Sequence, residues 1–386
     1  MDVQRSLDQL INYCERVGHR GYDPYDTLNS PLFRKLPGRL IPAVFIQIQK
    51  RLPINLRPVL GIQKGFNPKA MGLFLKAYTL LFEKTKEKRY LDRANYLFEW
   101  LSENYSEGYS GYAWGYNFDW ASPGNYLKMF TPSVVVTSFV VDGINEYYRV
   151  TQKEKAAEII ISAANYIRKD IPVLQFKEGI SFSYTHLSTG ACYNASLLAA
   201  EVLSKAHAIK PNFDDVEKVK QAVQFVLSKQ KDDGSWLYSL DPETNRERYQ
   251  IDFHQGFILI SLFNILNLLN ESSTSVSQAI RKGLAFYYQN QFEKSGKSMW
   301  RLPKKWPVDI HNQSQGIITF SRLSEFNPIY HDFARTIASW TVHNMQSNKG
   351  FFYYRINPAL KNRISFIRWG QAWMLLALTE LYTKDK

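Results

Sequence analysis

Cysteine is nearly absent: Cys14 and Cys192 are the only two in 386 residues. Two thiols exclude a disulfide scaffold and a four-thiolate zinc site, and no metal site is expected. They fit a reducing compartment. Long apolar runs are also missing. Residues 256–263 (GFILISLF) and 373–378 (WMLLAL) are among the longest, far below the ~20 residues of a membrane span. Charges scattered through the first 26 residues do not suit a signal peptide, so a soluble, cytoplasmic protein is expected. No linker or compositional break divides the chain, although roughly 150 residues per domain would suggest two or three. Acidic residues are in deficit, 35 Asp+Glu against 48 Lys+Arg, a formal net charge of +13. The basic residues are dispersed, which argues against nucleic acid and leaves anionic lipid and an acidic oligo- or polysaccharide open as partners.

Aromatic residues, by contrast, are abundant: 24 Tyr, 24 Phe and 9 Trp make up 15% of the chain. They belong to a repeat. Six nearly all-apolar helical segments begin near Phe66, Thr131, Tyr193, Phe253, His311 and Arg368. Apolar character around the whole circumference predicts burial on several sides. Six amphipathic helices alternate with them, predicted over 3–17, 89–105, 153–168, 214–229, 276–291 and 330–346. Segments of glycine and aromatics follow the amphipathic helices and begin at Gly111, Gly179, Gly234, Gly296 and Gly350. Their spacings of 68, 55, 62 and 54 residues match one helical hairpin each, and their composition predicts short strands or extended loops.

Six hairpins with buried second helices predict an all-α (α/α)6 toroid spanning 1–386 as one domain, with inner helices ringed by outer ones. Residues 22–65, with six prolines, read as an irregular packed insertion near one mouth.

Parallel inner helices gather their N-termini at one mouth, where unpaired N–H groups and partial positive charge favour anionic or polyhydroxylated ligands. The segments entering them carry Asp119, Tyr184, His186, Asn194, Asp252, His254, Asp309, His311, Asn312, Gln313, Arg368 and Trp369. Polar residues thus recur at one level of an otherwise apolar repeat. Asp252 and Asp309 also sit where N-caps belong. Asp119, between Phe118 and Trp120, suits a carboxyl whose pKa is raised by an aromatic surround, as a general acid needs. Trp114, Trp120, Trp236 and Trp369 are candidates for stacking on sugar rings, and Arg301, Arg355 and Arg368 for charge recognition. No cofactor is implied.

The segments FVLSKQKDDGSW and KGLAFYYQNQ are similar to the repeat of triterpene cyclases, which are also α/α toroids. That chemistry needs an Asp-x-Asp-Asp acid, and NFDD at 212–215 lacks its first Asp. Taken whole, the chain resembles the six-hairpin carbohydrate-active enzymes. YDPYDTLNS, LPINLRP, NPKAMGLFLKAY and the block GYAWGYNFDW…TPSVVVTSFVVDG resemble polysaccharide biosynthesis proteins of bacterial capsule and O-antigen gene clusters. RWGQAW at 368–373 is similar to a segment of unsaturated-glucuronyl hydrolases.

The resemblance implies an enzyme that processes an acidic, uronate-containing glycan. Two mechanisms fit the residues. A hydrolase would use Asp119 as acid with Asp252 or Asp309 as base or nucleophile. A lyase or epimerase would use His186, His254, His311 or Tyr184 as base, with Arg301, Arg355 or Arg368 stabilising enolate-like charge. The alternatives are a non-catalytic glycan- or partner-binding toroid and a terpenoid cyclase-like enzyme.

Overall fold

The computed structural model describes residues 2–122, 126–270 and 272–385. Twelve α-helices alternate as the sequence predicts. The outer set is α1 (Val3–Arg16), α4 (Lys88–Glu103), α6 (Glu154–Asp170), α8 (Phe213–Ser228), α10 (Thr274–Asn290) and α12 (Ile329–Met345). The inner set is α3 (Pro68–Thr85), α5 (Val134–Thr151), α7 (Tyr193–Ile209), α9 (His254–Leu268), α11 (Ile310–Arg322) and α13 (Trp373–Lys384). Each inner helix packs on the next, and α13 packs back on α3. The ring therefore closes, and α1 lies against α13 as expected. This is an (α/α)6 toroid. Residues from every hairpin join one buried apolar cluster.

Close inner packing follows from small side chains. A Cβ at Gly143 would stand 2.3 Å from the carbonyl oxygen of Gly72, so α3 and α5 meet backbone to backbone.

The glycine–aromatic segments have a single structural logic. Each glycine presses against the backbone of the next outer helix: Gly111 on Ser162, Gly179 on Gln221, Gly234 on Lys282, Gly296 on Thr336 and Gly350 on Gln9. The last contact returns to α1 and completes the circle. Gly234 combines a φ of +96° with a Cβ position 2.5 Å from the Lys282 carbonyl oxygen. Gly234→Ala is expected to cost roughly 2–4 kcal/mol, because left-handed strain and overpacking add. Gly18→Ala shares the positive φ but meets open space and should cost only about 1 kcal/mol. Calorimetric melting of the two variants checks the contrast.

The segments are short strands or extended loops, as the sequence suggests. Gly179–Phe182 pairs antiparallel with Val173–Phe176. The other four glycine–aromatic segments are mainly extended loops, joined to neighbouring chain by isolated bridges or leading into strands of two or three residues.

Two local differences bear on the mouth. The insertion contains a helix, α2 (Leu40–Arg51), which the proline-rich sequence conceals. Pro42 is tolerated because it lies in the first turn, where N–H groups have no intrahelical acceptor. The last inner helix opens as a π-helix, Ile367–Ala372. No helix among the described residues is long and apolar enough to cross a membrane.

Candidate active site

The N-terminal ends of all six inner helices line one basin of about 1560 Å³. Of the residues expected there, Trp120, Tyr184, Asn194, Asp252, His254, Arg301, Asp309, His311, Arg355, Arg368 and Trp369 face it. Helix α2 forms part of its rim through Leu40, Val44 and Ile48.

Six expected residues do not reach it. Trp114 and Trp236 are fully buried, and their indole N–H groups donate to the carbonyls of Leu101 and Val226. They pin the glycine segments to the outer helices and have no face to offer a sugar. Gln313 accepts from the Ser298 N–H and donates to the Gly296 carbonyl and the Thr341 hydroxyl. Gln255 and Gln371 likewise clamp Trp236 and Phe352. Asn312 donates to the carbonyls of Met299 and Trp300. These amides hold the last three inner helices to the segments that precede them. Asp119 accepts from the Tyr126 hydroxyl at 2.6 Å and the Met129 N–H at 2.7 Å, so it acts as a turn residue of the loop before α5. His186 packs its ring against Tyr109 in the loop after β-strand Gly179–Phe182.

The acidic residues of the basin wall are already paired. Asp252 is 2% exposed. Its Oδ1 meets His254 Nδ1 at 2.5 Å, and its Oδ2 accepts from Gln250 at 2.8 Å and lies 3.2 Å from Arg301 Nε. Burial pushes the Asp252 carboxyl up, but the attraction of His254 and Arg301 outweighs it and holds it below the ordinary carboxylate value. The contact places a proton on His254 Nδ1 and leaves Nε2 as the basic nitrogen. Asp309 binds Arg355 Nε at 2.6 Å and accepts from Trp369 Nε1 at 2.8 Å and the His311 N–H at 2.9 Å. It both caps α11 and orients two basin side chains. Arg368 is held bidentate by Asp23 at 2.6 and 2.7 Å, with its guanidinium 4.8 Å from the Tyr116 ring centroid.

His311 is the opposite case. It is 2% exposed, stacks on Phe253 with ring centroids 4.2 Å apart, and meets Trp369 edge-on. Neither ring nitrogen has a hydrogen-bond partner among the described residues. Burial, reinforced by repulsion from Lys69, Arg368 and His254, pushes its pKa well below the usual histidine value. A neutral imidazole with unmatched nitrogens thus lines the basin.

Two lysines escaped the sequence reading. Lys69, in the first turn of α3, is 3% exposed and lies 4.1 Å from the Phe139 ring centroid. Burial, with Arg368 adding repulsion, lowers its pKa well below the ordinary amine value. Lys50 of α2 reaches the Tyr25 hydroxyl, and burial together with Arg355 pushes it down to about 7. In the sequence neither differs from a solvated lysine. The one available signal for Lys69 is its position, at the same level of the repeat as the other mouth residues.

Among the described residues no group of three or more His, Cys, Asp or Glu could hold a metal ion. Cys14 and Cys192 are free and buried.

No family model and no curated relative matches the chain. Solved structures do. A cellobiose 2-epimerase from Bacillus thermoamylovorans is similar at 12% identity with a TM-score of 0.68, over 84% of this chain and 90% of that one. A D-mannose isomerase is similar at 12% identity and TM-score 0.62, over 82% and 86%. A possible member of the GH105 family from Salmonella enterica matches at 13% and 0.62, over 83% and 84%. At these identities the likeness is one of fold, and the chain shares the (α/α)6 toroid of those proteins.

Proposed function

We propose that the protein is a carbohydrate-active enzyme that moves a proton at a carbon beside a carbonyl or carboxylate of an acidic sugar. Epimerase, isomerase and lyase reactions belong to this class. The observation that carries the reading is the contrast between histidines and carboxylates in the basin. His254 is oriented by Asp252 with Nε2 left for proton transfer, and His311 lines the same basin with both of its buried nitrogens unmatched. Asp252 and Asp309 are each engaged by a cation, so neither is placed to serve as a protonated general acid or a free nucleophile. That favours proton abstraction over glycoside hydrolysis.

Two histidines can work as a pair, one removing the proton and the other returning it. Arg355 and Arg368, each anchored by an aspartate, supply fixed positive charge for the enolate-like intermediate. The acidic substrate is supported by the lining: eight Lys and Arg against two Asp. Trp120 and Trp369 provide aromatic faces for the ring. The similarity of several segments to polysaccharide biosynthesis proteins supports a place in bacterial surface-polysaccharide synthesis, in the cytoplasm. Likeness in fold to a solved epimerase and a solved isomerase agrees with this reaction class. Lys69 and His311 on an otherwise aromatic floor argue against a terpenoid cyclase.

The test is incubation with a panel of uronates and neutral aldoses in D2O, read by NMR. Deuterium should enter beside the carbonyl of an acidic sugar, and the rate should fall as salt screens the basin. Release of reducing ends from a uronate oligosaccharide with neither exchange nor an unsaturated product would make the protein a hydrolase. Tight uronate binding with no turnover would make it a binding toroid.

A further inference from the structure

The mouth of the ring carries an apolar surface that extends well beyond the basin lining. Among the described residues seventeen large hydrophobic side chains are exposed, and eight of them fall within residues 32–59. Concentration of half the exposed apolar groups in one short insertion marks an interaction surface. Helix α2 explains it. Ala43, Ile46 and Gln49 face inward, onto a small cluster with Leu28 and Ala121. Leu40, Ile41, Val44 and Ile48 face outward, 47–60% exposed, and the group continues through Ile54 at 68%. The helix is thus apolar on the side that water should own. Val59, in the turn beyond it, is 85% exposed.

The charge around this surface has one sign. Residues 27–82 contain no Asp or Glu. Arg34, Lys35, Arg39 and Arg51 are exposed beside the apolar face. Aliphatic side chains flanked by Lys and Arg are the composition of a helix that lies in a membrane interface. A second copy of the chain is disfavoured, because a two-fold contact would oppose the same cationic patches with no acid to pair them. A protein partner would more often be met by exposed Tyr, Trp or Phe. In residues 32–59 every exposed large hydrophobic is Leu, Ile or Val.

We propose that α2 and its flanking loops dock the toroid on an anionic lipid bilayer. The outward residues enter the headgroup layer and the basic residues meet lipid phosphates. Leu40, Val44 and Ile48 also line the basin, so docking brings its mouth to the membrane surface, and the enzyme works on glycans presented there. The inference is independent of the reaction type.

Flotation of the full-length protein with vesicles tests it. Vesicles of phosphatidylcholine with about one-third phosphatidylglycerol should bind at least about tenfold more tightly than pure phosphatidylcholine, and binding should weaken with salt. Ile41→Glu combined with Ile54→Glu, at two positions outside the basin lining, should reduce vesicle binding about tenfold or more. Because both positions are exposed, the melting temperature should hold. Arg34→Glu with Lys35→Glu should lower binding to anionic vesicles selectively. Equal binding to both vesicle types, no binding at low salt, or unchanged binding by I41E/I54E would overturn the proposal. So would a dimer in sedimentation that I41E/I54E splits, since the occupant would then be a second copy. Solution turnover on a soluble sugar should survive I41E/I54E, which separates failure of docking from failure of the proposed chemistry.

Discussion

His311→Phe is expected to abolish turnover while making the protein more stable. Positioned acid–base groups typically contribute 10²–10⁴-fold, and a loss in that range is expected for His311→Phe and for His254→Ala. The opposite effect on stability follows from burial. Both His311 nitrogens are buried without a hydrogen-bond partner among the described residues, and each such polar atom costs on the order of 1–3 kcal/mol. Phenylalanine keeps the stack on Phe253 and removes that penalty, so the melting temperature should rise. A protein that retains a costly side chain at a cavity wall is trading stability for activity. Asp252→Asn should lose less than His254→Ala and should change the acid limb of the pH–rate profile, because Asp252 acts through His254. Steady-state rates and melting curves of the three variants decide the matter. If His254→Ala and His311→Phe both retain turnover while Asp309→Asn loses it, the carboxylate reading of the site replaces the histidine reading.

The second large effect is destabilisation in mild acid by two buried neutral histidines. His19 is 2% exposed, with Nε2 3.1 Å from the Tyr78 hydroxyl, and burial lowers its pKa to about 4. His311 is shifted in the same direction. An unfolded histidine titrates near 6.5, so below that pH the unfolded chain binds protons that the folded state refuses. Stability is therefore intact above about pH 6.5 and falls as the pH drops toward each folded value. For His19 the loss by pH 4.5 is roughly 2–3 kcal/mol, and His311 adds to it. Asp26 works the other way. Burial lifts it to about 6 against the pull of Arg57, so its protonation favours the folded state over the same range. The clean measurement is therefore a difference. His19→Asn tolerates the left-handed backbone, with φ +58° at that residue, and removes the titrating ring. Denaturant unfolding at pH 7.5 and 4.5 should give a smaller acid loss in His19→Asn and His311→Phe than in the natural protein. Equal losses in all three would mean that both histidines titrate normally.

The alternation of apolar and amphipathic helices was legible because burial on all sides leaves a direct mark: no polar stripe can survive on an inner helix. The five glycine segments were legible for the same reason, since contact with a neighbouring helix backbone tolerates no Cβ. Their length and spacing were enough to predict six hairpins, and the level at which chemistry would gather followed from the parallel inner helices. Asp252, His254, His311 and Arg368 were picked out through that level, and all four line the basin.

Direction and partnership were not legible. Whether a side chain at the start of an inner helix turns into the basin or back into the wall depends on its rotation about the helix axis. That rotation is set by tertiary packing. Asn312 and Gln313 follow His311 directly, yet they clamp backbone while His311 faces the basin. Trp114 and Trp236 look like sugar platforms in the sequence, but the glycine contacts drive them into the core. Lys69 became visible only when the ring closed over it and removed its water. The pairing of Asp309 with Arg355, 46 residues apart, and of Asp23 with Arg368, 345 apart, is a product of closure too. Sequence by itself determined the ring and the level of its site, because both follow from periodic burial. Tertiary structure decided which carboxylates are already neutralised and which histidine stands unmatched, because those are contacts between residues distant in the chain.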